Sequence, residues 1–208
     1  MVQFWLPCAI AALVLCLLYA EYTKKRPLRA FSKTLASICF VALSLFTRQA
    51  TSTSFGTAIF VGLCLSLVGD VLLLFTDKRV FMGGIFAFLL GHIAFTVAFF
   101  LRGVALGPLE GSLLIALLLG GLVLRWLLPH AGDLKGAVIL YVLVISVMVP
   151  AAIGSAVRTG AYLPAAGALA FYVSDLSVAR DRFVRESFVN RLWGLPLYYF
   201  AQVLLALS

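Results

Sequence analysis

Eight long apolar runs separated by short linkers decide what this chain can fold into. A helix that crosses a bilayer needs about 20 consecutive apolar residues. The runs cover residues 3–20, 31–47, 54–75, 81–101, 109–128, 136–153, 161–178 and 190–207. With 63% hydrophobic and only 12% charged residues, a water-soluble fold could not hide this much apolar surface. We therefore predict an all-α polytopic membrane protein in which residues 1–208 form a single domain, a bundle of eight transmembrane helices.

Basic residues are concentrated in alternate linkers. Counting the edges of the flanking runs, twelve of the 16 lysines and arginines lie there: Lys24, Lys25, Arg26, Arg29, Lys78, Arg79, Arg125, Lys135, Arg180, Arg182, Arg185 and Arg191. The opposite linkers hold only Arg48, Arg102 and Arg158. The positive-inside rule therefore predicts cytoplasmic basic linkers and two non-cytoplasmic termini. Residues 3–20 read as a retained helix, because basic residues follow this run and none precedes it. The minimal loops favour a bacterial inner membrane, or the endoplasmic reticulum in a eukaryote.

Several function classes are excluded by composition. The net charge of +8 sits in short linkers, which indicates contact with membrane lipids and not with nucleic acid. The four cysteines lie inside apolar runs without a CxxC pair. Two histidines cannot build a His-rich zinc site, and neither HExxH nor GxSxG occurs. We expect no metal and no cofactor.

We single out four ionisable residues inside the runs as functional candidates, because burying such residues in lipid is costly. They are Lys33, Asp70, His92 and Asp175, accompanied by the polar residues Ser66, Ser174, Tyr198, Tyr199 and Gln202. Their positions along the runs predict one cavity in the cytoplasmic half of the bundle. The carboxylates at 77, 133, 181 and 186 are interpreted as solvated loop charges.

Structural roles compete with these functional ones. Lys33 could extend to the headgroups. Asp175 could pair with Arg180 or Arg182 at the interface, and His92 could bond neighbouring helices. Asp70 resists such an interpretation, because residues 71–75 bury it further.

Two segments resemble each other. Gly69-Asp70 and Ser174-Asp175 each end a run of the same orientation, four runs apart, and an Asp-basic-aromatic stretch follows each. We interpret them as an internal duplication that yields two parallel four-helix repeats, with Asp70 and Asp175 as counterparts.

Paired carboxylates in a dry cavity suit acid-base chemistry, because one stays protonated while the other can activate water. That arrangement fits hydrolysis through an oxocarbenium-like state, as in glycosidases, and vinyl ether cleavage is closely related. Lys33 would be placed to bind a substrate phosphate. A Ser174–His92–Asp triad stays open.

Motifs across residues 32–202 resemble the YhhN-type transmembrane family, whose characterised members are lysoplasmalogenases. They are Ser32-Lys33, Gly69-Asp70-Val71-Leu72-Leu73, Phe81 with residues 87–92, Phe171-Tyr172-Val173-Ser174-Asp175 and Leu197-Tyr198-Tyr199-Phe200-Ala201-Gln202. The resemblance implies cofactor-free hydrolysis of the vinyl ether bond of a lysoplasmalogen. The products would be a fatty aldehyde and glycerophosphoethanolamine or glycerophosphocholine. Asp70 and Asp175 would be catalytic, and Lys33, His92, Ser174, Tyr198, Tyr199 and Gln202 would bind the lysophospholipid.

A proton-coupled transporter or lipid carrier is the main alternative, since such proteins also use intramembrane carboxylates and duplicated halves. The polar groups favour one membrane face, which favours the enzyme.

Overall fold

The computed structural model describes residues 2–46 and 52–208, and within these ranges the chain is helical without strands. Arg48, which we assigned to an outer linker, lies outside the described residues. The eight long helices of the described part are α1 (Val2–Tyr22), α2 (Arg26–Leu45), α3 (Ser54–Leu72), α4 (Lys78–Arg102), α5 (Leu106–Leu127), α6 (Lys135–Thr159), α7 (Leu163–Ala179) and α8 (Phe188–Ala206). Two 3₁₀ turns join α5 to α6, and a π-helical turn, Arg180–Val184, follows α7.

Polar side chains begin several of these helices by accepting hydrogen bonds from free backbone N–H groups. Thr53 Oγ1 accepts from Gly56 N at 3.0 Å, and Asp77 Oδ1 accepts from Arg79 N at 2.9 Å. Asp77 is therefore the N-cap of α4, and its interpretation as a solvated loop charge was wrong in that respect.

The helices run up and down, so each end of the bundle gathers alternate termini. At one end, Arg191 of α8 binds Glu21 of α1 at 2.9 Å. At the other, the guanidinium of Arg102 lies 4.3 Å from the ring centre of Phe55. The first end carries the twelve basic residues named above, and we call it the basic end.

Helices α1 to α6 are long and apolar enough to cross a membrane. One face of α5 exposes Leu114, Ile115, Leu118 and Leu122 by 60–64% each, which suits lipid and not water. The chain is thus a helical integral membrane protein. Helices α7 and α8 are not among these six: α7 is the shortest of the eight with 17 residues, and α8 carries the polar residues Asn190, Arg191 and Gln202 within 19 residues.

Several helix boundaries differ from the predicted ones. Helix α2 begins at Arg26, five residues early, because Pro27 is compatible with a first turn. Lys33 therefore lies about two turns inside α2, where we predicted the first turn. Helix α3 ends at Leu72, which places Asp70 in its last turn. Helix α6 continues through Pro150 to Thr159, although we ended it at residue 153.

Glycines allow α7 and α8 to approach closely. A Cβ added at Gly194 of α8 would overlap the Ser177 hydroxyl and lie 2.5 Å from Ser177 Cβ. Rotating the hydroxyl away cannot relieve the second contact, so the two helices would have to separate.

We therefore expect Gly194→Ala to lower the thermal unfolding midpoint in detergent, at a cost of about 1–3 kcal/mol for overpacking. Gly121→Ala is the matched control, because an added Cβ there meets no atom within 4 Å. Equal midpoints for the two variants would contradict this packing.

Candidate active site

A cavity of about 620 Å³ lies at the basic end and extends into the bundle. Its wall on the α1, α2 and α8 side is charged and includes Glu21, Arg29, Lys33 and Arg191. The side formed by α4, α5 and α6 is mainly apolar: Phe81, Ile85, Phe88, Val123, Leu127, Val138, Val142 and Ile145. Asp70 and Asp175 both line it. A ligand with a polar head and an apolar chain would match both halves.

Asp70 is buried and surrounded by donors. Its Oδ2 accepts hydrogen bonds from Ser37 Oγ and Tyr198 Oη, each at 2.6 Å. Its Oδ1 lies 3.2 Å from Lys33 Nζ. Tyr199 Oη donates to the Lys33 carbonyl at 3.1 Å and anchors the α2 backbone. Both oxygens of Asp70 therefore face donors.

Asp175 has different surroundings. Its Oδ2 accepts from Tyr141 Oη at 2.9 Å and lies 3.3 Å from His92 Nε2. The Asp175 side chain is 16% exposed, whereas that of Asp70 is 2% exposed. Asp175 is therefore the carboxylate that a molecule in the cavity meets more readily.

The tautomer of His92 follows from its other nitrogen. Nδ1 lies 2.7 Å from the carbonyl oxygen of Phe88, which can only accept, so Nδ1 carries a hydrogen. Nε2 is buried without a hydrogen-bond partner, although Asp175 Oδ2 is close. In the neutral ring Nε2 presents a lone pair toward an oxygen, and this contact is favourable only when a proton resides on Nε2 or on Asp175. A hydrogen on either atom would complete a hydrogen bond between His92 and Asp175.

Aromatic rings pack between the two carboxylates. The Phe171 ring lies 4.4 Å from that of His92 and 5.3 Å from that of Tyr198, centre to centre. Phe88 packs edge-on against both Phe171 and Tyr198. This packing fixes the orientation of the rings that bear the polar groups.

The predicted site residues form two groups. Lys33, Tyr198 and Tyr199 gather around Asp70, and His92 contacts Asp175. Of the predicted site residues, Lys33, Asp70, Asp175 and Tyr198 line the cavity, whereas His92, Ser174, Tyr199 and Gln202 are buried outside its lining.

Two alternatives left open by the sequence find no support in the geometry. Ser174 Oγ donates to the carbonyl of Phe171 in its own helix at 2.8 Å, which gives no support to a serine triad with His92. The partners that the structure gives Asp175 are His92 and Tyr141, and not Arg180 or Arg182.

Sequence reasoning missed Ser37 and Tyr141. Ser37 follows Lys33 by one helical turn on the same face, a spacing that could have identified it. Tyr141 is one of several aromatic residues in an apolar run, and no local signal distinguishes it.

An ionic network at the cavity mouth was also missed. The guanidinium of Arg191 binds Glu21 at 2.9 Å, Asp181 at 3.0 Å and Glu186 at 2.7 Å. Asp181 also accepts from Asn190 Nδ2 at 3.0 Å. Asp181 is therefore a structural ion-pair partner, and its interpretation as a solvated loop charge was wrong.

The two carboxylates have related neighbourhoods. Asp70 of α3 receives its partners from α2 and α8, and Asp175 of α7 receives its partners from α6 and α4. Moving each helix four places along the chain converts one set into the other, when the count continues from α8 to α1 so that α8 becomes α4. The separations are 105 positions from Asp70 to Asp175, 106 from His92 to Tyr198 and 104 from Ser37 to Tyr141.

The fold and the site define a helical integral membrane protein with a paired-carboxylate cavity at one end of its bundle. The chain belongs to the YhhN family, whose family model matches residues 28–208. The resemblance inferred from the motifs is thereby confirmed.

Curated relatives are similar over most of this chain. The protein named lysoplasmalogenase TMEM86A from Bos taurus is 36% identical over 159 residues, 73% of this chain and 65% of its own length. The Homo sapiens protein of that name is 34% identical over the same shares, and lysoplasmalogenase TMEM86B from Sus scrofa is 33% identical over 69% and 59%. The matches therefore span less than two thirds of these relatives. No solved structure matches the chain significantly.

Proposed function

We propose that this protein is a lysoplasmalogenase, which hydrolyses the vinyl ether bond of a lysophospholipid within the membrane. The observation that carries the proposal is the pair of carboxylates that line one amphipathic cavity: Asp70 is surrounded by three donors, and Asp175 lies 3.3 Å from a histidine nitrogen. The names of the relatives support the same substrate class.

Asp175 is the proton donor in this proposal. The proton held with His92 passes to the vinyl carbon remote from the ether oxygen. The double bond is lost, and an oxocarbenium ion forms between the adjacent carbon and that oxygen. Asp175 and not Asp70 has this role, because Oδ2 of Asp70 already accepts two hydrogen bonds and its Oδ1 lies beside an ammonium group.

Water then adds to the cationic carbon and returns its proton to Asp175, which acts as general base in this step. The hemiacetal collapses to a fatty aldehyde and the glycerol hydroxyl of glycerophosphoethanolamine or glycerophosphocholine. Atoms and protons balance without a cofactor.

Asp70 stabilises the cation in this scheme. A buried negative charge close to the reacting carbon favours the oxocarbenium state over the neutral ether. Lys33, Ser37 and Tyr198 hold the carboxylate in place.

The finer features of the fold belong to the same proposal. All eight helices cross the membrane as one domain over residues 1–208, and the related neighbourhoods of Asp70 and Asp175 support two parallel four-helix repeats. The basic end faces the cytoplasm, both termini lie on the other side, and the lysophospholipid enters from the cytoplasmic leaflet of a bacterial inner membrane.

The test is turnover by purified protein in detergent. Lysoplasmenylethanolamine is supplied beside its ester-linked and saturated-ether analogues, and released aldehyde and fatty acid are measured. We expect aldehyde from the vinyl ether and no product from the other two. Fatty acid from the ester would replace the mechanism with that of a lipase. No product from any of them, with folded protein, would favour the transporter.

A further inference from the structure

We propose that Arg26 and Arg29 bind the phosphate of an entering lysophospholipid at a side opening between α2 and the α3–α4 loop. This proposal rests on the proposed function and adds a phosphate site to it. The occupant is a single-chain phospholipid that arrives from the membrane.

The first observation is a basic stripe on α2. Arg26, Arg29 and Lys33 are spaced by three and four residues, so their side chains share one face of the helix. Exposure falls along the stripe: Arg26 is exposed, the Arg29 side chain is 29% exposed, and that of Lys33 is 13% exposed. At its buried end, the stripe meets Asp70 of α3, whose side chain is 2% exposed.

The second observation is a pair of adjoining spaces along this stripe. A groove of about 410 Å³ lies beside the start of α2 and is lined by Arg26, Pro27, Arg29, Ala30, Leu74, Phe75 and Thr76. Four of these residues, Arg29, Leu74, Phe75 and Thr76, also line the main cavity. The groove therefore adjoins the cavity along a shared wall, and Arg29 lies at the junction.

The third observation concerns which cation is free to bind an anion. Lys33 Nζ is held by Asp70 at 3.2 Å, so a phosphate there would compete with that ion pair. Arg29 makes only a 3.8 Å contact with Glu21 and a 3.3 Å hydrogen bond to the Leu74 carbonyl. Arg26 has no carboxylate partner among the described residues. The arginines therefore suit the phosphate better than Lys33 does, and their planar guanidinium groups match its oxygens.

The spacing fits the substrate. Arg29 lies about one helical turn, roughly 5.4 Å, from Lys33 along α2. A glycerol unit separates the phosphate of a lysophospholipid from its vinyl ether bond by a comparable length. A phosphate at Arg29 would thus place the vinyl ether near the level of Asp70.

The test measures binding and not turnover. Its probe is a lysophosphoethanolamine with a saturated ether chain, and 1-O-alkylglycerol without phosphate is the comparison ligand. We expect Arg26→Gln and Arg29→Gln each to weaken phospholipid binding by about 10-fold or more, since charge-assisted hydrogen bonds are lost. Binding of the alkylglycerol should stay unchanged.

Arg79→Gln is the matched control, because Arg79 is exposed at the same end of the bundle and lines neither space. Arg29→Lys keeps the charge and should retain more affinity than Arg29→Gln, which guards against a folding defect. Inorganic phosphate should not displace the lipid, because it gains no apolar burial. Displacement by phosphate alone would overturn the assignment to a lipid phosphate.

The outcomes separate this site from the proposed reaction. Wild-type affinity in both Arg26→Gln and Arg29→Gln would overturn the phosphate site, even if vinyl ether turnover is established. Selective loss of phospholipid binding in these variants would support the site, even if the protein releases no aldehyde.

Discussion

Asp175→Asn is expected to reduce the release of fatty aldehyde from lysoplasmenylethanolamine by about 10²–10⁴-fold, the usual contribution of a general acid or base. An amide cannot give a proton to the vinyl carbon or take one from water. The side chain keeps its shape, and Tyr141 can still donate to the amide oxygen, so the protein should fold. The measurement is the initial rate of aldehyde release, with the unfolding midpoint of each sample.

Asp133→Asn is the control for this prediction. It makes the same chemical change at the same end of the bundle, at a side chain that is 94% exposed. Wild-type turnover in Asp175→Asn would remove Asp175 from the chemistry. His92→Gln should lower the rate as well, because glutamine cannot share the proton with Asp175. The dependence of the rate on pH should also differ between this variant and the wild type.

The Lys33–Asp70 pair is expected to produce the largest stability effect. Lys33→Met leaves the ionised Asp70 carboxylate buried without its cation, and breaking a buried pair in this way costs about 3–5 kcal/mol. Asp70→Asn should cost less, because Lys33 lies nearer the cavity mouth and can reach water. The measurement is thermal unfolding in one detergent.

The double variant separates folding from chemistry. Lys33→Met with Asp70→Asn removes both charges and should recover much of the lost stability. Aldehyde release should nevertheless stay as low as in Asp70→Asn alone, because the charge that stabilises the oxocarbenium ion is still missing. Recovery of turnover with stability would contradict a chemical role for Asp70.

Much of the fold could be predicted from local patterns. The eight apolar runs correspond to eight helices in the described ranges, because a helix needs only its own backbone hydrogen bonds in lipid. Boundaries were less predictable where proline was involved. Pro27 lies in the first turn of α2, whereas Pro150 lies inside α6. A proline in the sequence therefore does not tell by itself whether a helix begins there or continues through it.

Part of the site could also be predicted from local patterns. Asp70, Asp175, Lys33 and His92 stand out because ionisable groups are rare in apolar runs. Their distances from the ends of the apolar runs indicated that they lie at a similar level in the membrane. Depth does not tell which neighbour each group faces, so Asp175 could not be assigned to His92 and Tyr141.

The sequence by itself determined the class of protein, the helix order, the basic end and the short set of polar candidates, since each follows from side-chain character along one dimension. Only the tertiary structure decided that Lys33 pairs with Asp70, that Asp175 lies beside His92 and Tyr141, and that Arg29 lines two adjoining spaces. These pairings depend on rotation of helices about their axes and on contacts between residues far apart in the chain. Such contacts arise from packing, and no local pattern encodes them.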